Sequence, residues 1–438
     1  MTQTTVLKGR RLVDGIGGDL RGRGWWVVEG GTIRAVGSTA EVQVPLGARV
    51  VDMFDCTLMP GLIDTHVHLP HFNVTTCKNV RIANYESTPS LHMLYALHHA
   101  RMCFEMGFTT LRDFGRSSYA GDNSVEMVAV REAINCALFP GPRLVVGGRV
   151  HITNSHFDLS MPAAVVRQLD WPADGPWELR KMSRRRLRAG CDLIKTCASG
   201  GGGSDKEEPD IRNMTQEELD AIVDEAHAFH KPCACHCFTS LSQKMAVRAG
   251  VDTIEHCVFT DDEAIAMIKD EGKYVVPTLA HRSDRAIEAR RSMGTSEFVV
   301  QKMKKIQPHT KETFQRFYHA GVKIAMGTDT HIDPDMGQNA MELEIYVNYG
   351  MTPMEAILTA TRNAAEAIQL DRQVGTLEPG KLADIIAVDG NPLSDISLLQ
   401  KRENIRMVMK EGHIYIDRRP ERNKVVIHDE EWMQWRRI

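Results

Sequence analysis

The sequence predicts an α/β protein, a (β/α)8 TIM barrel with a small β-sandwich domain formed by the N- and C-terminal segments. Three observations lead there. The chain has 438 residues, 42% of them hydrophobic, enough for a barrel of roughly 250 residues and a second, smaller domain. Its middle alternates short apolar runs with longer helical stretches, the pattern of βα units around a parallel sheet. Its two ends share another texture, short strands broken by Gly and Pro turns. The division places residues 1–57 and 376–438 in the β-sandwich and 58–375 in the barrel.

The N-terminal strands are read from TVLKGRRLVDG, GWWVVEGGTIRAVGS and ARVVDMFDCTLMPG, with Gly30-Gly31 between two apolar runs as a hairpin turn. After residue 375 the texture returns in VGTLEPGKLADIIAVDG and IRMVMKEGHIYI. One domain built from both ends leaves fewer unpaired strand edges than two separate lobes. The barrel strands are, in order, LIDTHVHL, TTLRDFG, RLVVGGR, DLIKTCAS, PCACHCF, DTIEHCV, KYVVPTL and VKIAMGTDT. Thr215 with Glu218 forms a capping box ahead of the apolar stripe Leu219, Ile222, Val223 and Ala226, and Thr260 with Glu263 is expected to repeat the device. An open doubly wound sheet of eight strands would show much the same local pattern. The positions of the polar residues favour the closed barrel.

Lys and Arg total 53 against 57 Asp and Glu, a net charge of -4, so a nucleic-acid partner held by excess positive charge is not expected. The apolar content is too high for a disordered chain. The N-terminal stretch has no apolar run of signal-peptide length, and no run of ~18 apolar residues suits a membrane span. The expectation is a cytoplasmic homo-oligomer acting on a small-molecule substrate, with no membrane partner. The ten cysteines would stay thiols in that reducing compartment. Cys233, Cys235 and Cys237 alternate on one strand face, opposite His236, and read as small buried hydrophobes, since thiols so arranged cannot easily converge tetrahedrally on zinc.

His66 and His68 are two apart on a strand, so both imidazoles leave the same face and can reach one ion. By itself such a pair says little. Lys195 interrupts an apolar strand that ends in glycines, where an amine must find an anion or stay uncharged. His236 and His256 occupy corresponding places on consecutive strands, and Asp329 ends the last one. Four imidazoles and a carboxylate would converge at the C-terminal ends of the strands, where such barrels place active sites. These donors suit zinc, the default, and equally manganese, cobalt or nickel. An ammonium has no lone pair to offer, so Lys195 needs deprotonation or modification. Carboxylation of its amine by carbon dioxide would make it a carboxylate-like bridge between two metal ions.

These motifs resemble the metal-dependent amidohydrolase superfamily over nearly the whole chain. MPGLIDTHVHL is similar to its first-strand signature, IKTCASGG to its carboxylated-lysine strand, ACHCF and TIEHC to its fifth and sixth strands, GTDT to its last, and VGTLEPGKLADIIAVDGNPL to its C-terminal return. The resemblance implies two divalent ions, with His66 and His68 on the buried one, His236 and His256 on the more exposed one, N6-carboxylated Lys195 between them, and Asp329 binding metal and handling protons. Within the superfamily the chain looks most like the group of Xaa-Pro dipeptidases and imidazolonepropionase-like proteins, which has amide-, urea- and carbamate-cleaving relatives. Peptide-cleaving members often carry Gly-Gly-His after the third strand and a tyrosine two residues past the fifth-strand histidine. Here the places hold Asn154-Ser155-His156 and Phe238, which keeps a histidine near the metals and removes a hydroxyl.

The implied reaction is hydrolysis of a C–N bond of an amide, peptide, urea or carbamate by a water shared between the ions. Asp329 would move the proton, His156 would hold the substrate carbonyl or its oxyanion, and Phe238 would line the pocket. The alternatives are a mononuclear deaminase of an aminated ring, against which Lys195 speaks, a Xaa-Pro dipeptidase proper, and a non-catalytic scaffold. His151 and Asn154 read as solvated loop residues. GGGGSDKEEPD reads as a flexible surface connection rather than a phosphate cradle, since no Gly-Lys-Ser/Thr follows. RKMSRRRLRAG reads as the solvated face of an amphipathic helix.

Overall fold

In the computed structural model, residues 4–17, 19–38, 44–71, 87–118, 121–122, 124–159, 172–330, 336–419 and 424–425 are described. The two ends of the chain share one sheet. Strands β1 (Thr4–Val13), β2 (Asp19–Glu29), β3 (Thr32–Ser38) and β4 (Arg49–Pro60) pair, through β4, with β15 (Ile385–Asp389), β16 (Ile405–Lys410), β17 (His413–Asp417) and β18 (Lys424–Val425). Gly30 and Gly31 both take positive φ, 57° and 86°, as the tight turn between β2 and β3 requires. The pairing of β1 shifts between Gly9 and Arg11 on both sides, which bends the sheet. Ile33 exchanges backbone hydrogen bonds with Gly380 and Lys381, both 2.8 Å, so the β3 edge folds back toward β15. The enclosed core holds Leu7, Leu12, Trp26, Ile33, Leu58, Ala383 and Met407. Residues 39–43 and 426–438 of the expected terminal domain lie outside the described residues.

Between these ends run the eight parallel strands read from the sequence: β5 (Leu62–Val67), β6 (Phe108–Asp113), β9 (Arg143–Arg149), β10 (Leu193–Cys197), β11 (Cys233–Thr239), β12 (Thr253–Phe259), β13 (Tyr274–Val276) and β14 (Lys323–Ile324). A two-rung hairpin, β7 (Ser117–Ser118) with β8 (Gly121–Asp122), comes after β6. Neighbours run in the order β14-β13-β12-β11-β10-β9-β6-β5, and the ring is closed by the chain just past β14. Thr65 N–H donates to the Met326 carbonyl at 3.0 Å, Asp329 N–H to the His66 carbonyl at 2.7 Å and His68 N–H to the Thr330 carbonyl at 3.1 Å. Gly327 permits the closure, because a Cβ there would stand 2.4 Å from Val276 and 2.9 Å from the Cβ of His66.

The helices obey their signals with one correction. Thr215 and Glu218 cap Gln216–Ala228 reciprocally, burying Leu219, Ile222, Val223 and Ala226. The helix Asp262–Asp270 is instead capped by Asp261, whose side chain accepts from Ala264 N–H, while Thr260 Oγ1 donates to the Cys257 carbonyl. A carboxylate satisfies the first-turn amides and complements the helix dipole in one group. The basic tract lies on Gly175–Arg188, with Arg180 and Arg184 paired to Asp224 and Glu225. Among the described residues no helix is long and apolar enough to cross a membrane.

Barrel and terminal sheet are riveted by Arg143 at the start of β9. Its Nη1 donates to Thr110 Oγ1 at 2.9 Å and to Asp384 Oδ2 at 2.7 Å, and its Nη2 to Glu411 Oε1 at 2.8 Å. Asp384 is 4% exposed, so removing the cation strands its charge. Arg143→Met is expected to destabilise the protein by about 3–5 kcal/mol, with Asp384→Asn in the same chain recovering part. Denaturant unfolding of the single and double variants measures both.

Candidate metal centre

The two-residue period of a strand decides which side chains enter the barrel. On β11, Ala234 packs inside with Phe114 and Leu193, and His236 comes next on the same face. Cys233, Cys235 and Cys237 join the core between sheet and helices as free, buried thiols. Within β12, just beyond β13 and past β14, the backbone turns sharply. His256 has φ 73°, Thr278 φ 52° and Asp329 φ 55°, a left-handed conformation that costs of order 1–3 kcal/mol per non-glycine residue and clusters at functional sites.

These turns bring six of the expected residues to the C-terminal mouth of the barrel. His66 Nε2, at 3.6 Å, and His68 Nε2, at 3.1 Å, both face Asp329 Oδ1. One ligand atom each from His66, His256 and Asp329 lies within 4.8 Å of the other two. The rings of His66 and His256 are 5.0 Å apart, and His236 is 4.5 Å from His256. Lys195 reaches in from β10, its Nζ 4.4 Å from the Phe114 ring centre, and Phe114 itself packs edge-on to His66 at 4.7 Å.

The outer nitrogen of each imidazole is occupied. His68 Nδ1 donates to the Gly115 carbonyl at 2.6 Å, His66 Nδ1 to Glu255 Oε2 at 2.7 Å, and His256 Nδ1 meets the Thr278 hydroxyl at 2.7 Å. His236 is turned the other way, with Nε2 on the Gly200 carbonyl at 3.0 Å. Three Nε2 atoms and one Nδ1 are thereby left to carry inward lone pairs, the arrangement that orients histidine as a metal ligand. Burial, reinforced by Lys195, holds His66 at about 4, and burial drives His236 and His256 well below the usual imidazole range. All three are neutral donors at physiological pH. Lys195 is 1% exposed, its amine has no hydrogen-bond partner among the described residues, and burial pushes it below the usual lysine range. Neutral imidazoles, one carboxylate and an orphaned amine fit divalent metal far better than they fit one another.

Three charged residues that the motifs do not single out hold this set in place. Arg112 donates to Glu255 Oε1 at 2.9 Å and, through Nε, to the Thr65 carbonyl. Burial alone would raise the Glu255 carboxyl, but Arg112 and Lys195 outweigh it and keep it at about 2. Asp64 accepts from His66 N–H at 3.0 Å and from Thr328 Oγ1 and Asn339 Nδ2, both 2.7 Å, and burial lifts it to about 6. A signal for them exists in the sequence: LID, TLRD and TIEH each place a charge inside an apolar strand.

His156 stacks on His236 with ring centres 4.3 Å apart and planes 19° from parallel. Its Nδ1 faces Glu207 at 2.8 and 3.0 Å. The glycine-rich stretch is not a free surface connection, because Gly200, Gly201 and Gly202 are buried or nearly so against their neighbours. A Cβ on Gly201 would stand 2.6 Å from the His156 ring, and Lys302 fastens the remainder of this loop by donating to the carbonyls of Ser204 and Glu207. Phe238 is 3% exposed, stacked on His236 at 4.6 Å and edge-on to His256 at 5.3 Å. His151 is fully buried rather than solvated, while Asn154 is exposed. His281, also unforeseen, places Nε2 3.6 Å from Asp329 Oδ2 and accepts from Arg290.

The amidohydrolase family pattern matches residues 57–415. The chain belongs to this family. Like other amidohydrolases it is a hydrolytic enzyme acting on C–N bonds, and the family generally uses metal ions. An ochratoxinase of Aspergillus niger is 31% identical over 388 residues, covering 82% of this chain and 75% of that protein. The crystal structure of a Xaa-Pro dipeptidase with bound methionine in the active site superposes with a TM-score of 0.85 at 32% identity, covering 94% of this chain and 100% of that one. Phenylurea hydrolase B shares the fold at 22% identity and a TM-score of 0.76, over 98% and 100% of the two chains.

The chain of contacts from Arg112 through Glu255 to His66 makes a specific demand. Glu255→Gln should weaken zinc binding about 10–100-fold, because an amide orients the imidazole with less charge and leaves Arg112 uncompensated. Competition against a chromogenic chelator reads this directly. Unchanged affinity would mean that His66 is oriented by other contacts.

Proposed function

We propose that this amidohydrolase cleaves the C–N bond of an amide, peptide, urea or carbamate, using two divalent ions, zinc by default, held by His66, His68, His236, His256, Asp329 and N6-carboxylated Lys195. The observation that carries the reading is the Lys195 amine, buried and unpartnered beside four imidazoles that are ready to bind cations. As an ammonium it would repel any ion they held. As a carbamate the side chain would instead offer an anion able to hold both ions, with a single N–H left on its nitrogen and no buried positive charge. When bound, the ions supply Lewis acidity toward the scissile carbonyl and a water acidic enough to attack near neutrality.

The chain's own groups do the rest. Asp329, with imidazoles facing both of its oxygens, takes the proton of the attacking water and returns it to the departing nitrogen, which leaves poorly as an anion. Glu207 holds Nδ1 of His156, leaving Nε2 as the partner for the carbonyl oxygen of the substrate as charge develops there. Phe238 offers apolar area and no hydroxyl.

Elemental analysis of purified protein, with a screen of N-acyl amino acids, Xaa-Pro dipeptides and aryl ureas for amine release, tests the proposal. About two divalent ions per chain are expected, and a fully active preparation with one would overturn the dinuclear centre. Lys195→Ala should lose metal and activity together, and short carboxylates such as acetate or propionate should restore part of both. Retention of wild-type metal and turnover would reduce Lys195 to a structural residue. Asp329→Asn should lower kcat ~10²–10⁴-fold while sparing much of the metal. A metal-replete variant that keeps more than about a tenth of kcat would transfer the proton-handling role elsewhere, His156 first.

A further inference from the structure

The two histidines at the end of β5 are backed by groups of opposite charge. His66 Nδ1 rests on the Glu255 carboxylate at 2.7 Å. His68 Nδ1 rests on the Gly115 carbonyl at 2.6 Å, and that oxygen accepts a second hydrogen bond, from Arg149 Nη2 at 3.0 Å. The same guanidinium nitrogen stands 3.3 Å from His68 Nδ1 itself. Two donors, one of them cationic, thus share one acceptor.

This corner of the barrel is firmly built. Arg149 ends β9 and is 6% exposed. Its Nε donates to the Phe114 carbonyl at 2.7 Å, and its guanidinium carbon lies 4.6 Å from the centre of the Phe157 ring. Gly115 has φ 57°, and a Cβ there would stand 3.0 Å from the Cα of Ser124, so glycine makes the turn that presents the shared carbonyl. Asp113 pins the turn, accepting from Gly115 N–H at 2.7 Å through Oδ1 and from Leu69 N–H at 2.6 Å through Oδ2. Its charge acts on both His68 and Arg149, but its oxygens hold these amides, whereas the guanidinium reaches the oxygen that the imidazole uses.

A hydrogen bond to an anion makes an imidazole a better electron donor toward a metal. A carbonyl already polarised by a cation has less electron density to lend, and the cation opposes any positive charge that the ring comes to carry. We propose that Arg149 is a positioning residue that weakens His68 as a donor, so that the buried metal position has one strong imidazole, His66, and one weak one, His68. This rests on the reading of both histidines as ligands of one ion. The arrangement lowers affinity at that position and leaves an ion held there more electrophilic, because less charge is donated to it. Glu255 and Arg149 thereby act against each other through two rings, and the balance between holding an ion and using it is set by charges outside the ligand set.

Chelator competition for zinc tests this, read at the binding step that His68→Ala weakens, because loss of structure and loss of the charge move affinity in opposite directions. Arg149→Met and Arg149→Gln should bind zinc ~10-fold more tightly than wild type, and Arg149→Lys, which keeps a cation in the corner, should stay close to wild type. Affinity that is unchanged or weaker in the Met and Gln variants overturns the proposal, as does an Arg149→Lys variant that binds as tightly as Arg149→Met. Should neither neutral variant fold, the ligands decide. His68→Ala should then cost less zinc affinity than His66→Ala, and an equal or larger cost overturns the assignment. A wild type that takes up no zinc, or a His68→Ala variant that loses none of its affinity, removes His68 from the ligand set and this inference with it. Normal zinc binding with indifferent Arg149 variants overturns this inference alone.

Discussion

Everything at the mouth of this barrel depends on a carboxylate that has no business being dry. Glu255 is fully buried, and such an anion survives only with a partner of opposite charge and full hydrogen bonding. Arg112 supplies the charge from β6, Thr253 Oγ1 adds a hydrogen bond at 2.6 Å, and His66 takes the remaining oxygen. One network therefore joins β5, β6 and β12 across the barrel axis. It also fixes which nitrogen of His66 carries the proton. The acidic and basic side chains that a packed interior would normally exclude are here the means of aiming an imidazole.

The same economy appears in the backbone. His256, Thr278 and Asp329 each hold left-handed φ values that few residues other than glycine adopt, least of all a β-branched one such as Thr278. They occur inside β12 and just beyond β13 and β14, and they swing the side chains in from positions that an extended strand would point elsewhere. The opposing tethers are visible: the hydrogen bond from Asp329 N–H to the His66 carbonyl, and the Thr278 hydroxyl shared by His256 and Arg282.

The barrel and the principal ligands are legible in the sequence because they obey local rules. A histidine at every second strand position, an apolar run of strand length and a capping threonine three residues before a glutamate all announce themselves within a short window. The features that escape lie in the pairing of distant segments. Glu207 looks like any acid in a polar loop until Gly201 lets the His156 ring approach. Arg282 looks like one cation in a charged stretch, because nothing local says that its turn folds inward against Phe238. The glycines mislead for the same reason. Their freedom suggests looseness, whereas the contact distances show that here they make room for neighbours. Asp261 displaces Thr260 as a cap by a single position, a choice between two competent groups that depends on how the chain leaves β12.

Closure of the ring sets the order of events in making the molecule. Asp64 and Thr328 meet across 264 positions of chain, and β4 waits for β15 before its outer edge is covered. Neither the metal site nor the terminal sheet can be completed until most of the polypeptide has left the ribosome, because long-range strand pairing must bear the entropy of its loop before any contact repays it. The first strands of the nascent chain therefore spend most of synthesis with open edges. A truncated product lacking roughly the last hundred residues would keep the segment that closes the barrel but lose β15 to β18, leaving one edge of β4 uncovered.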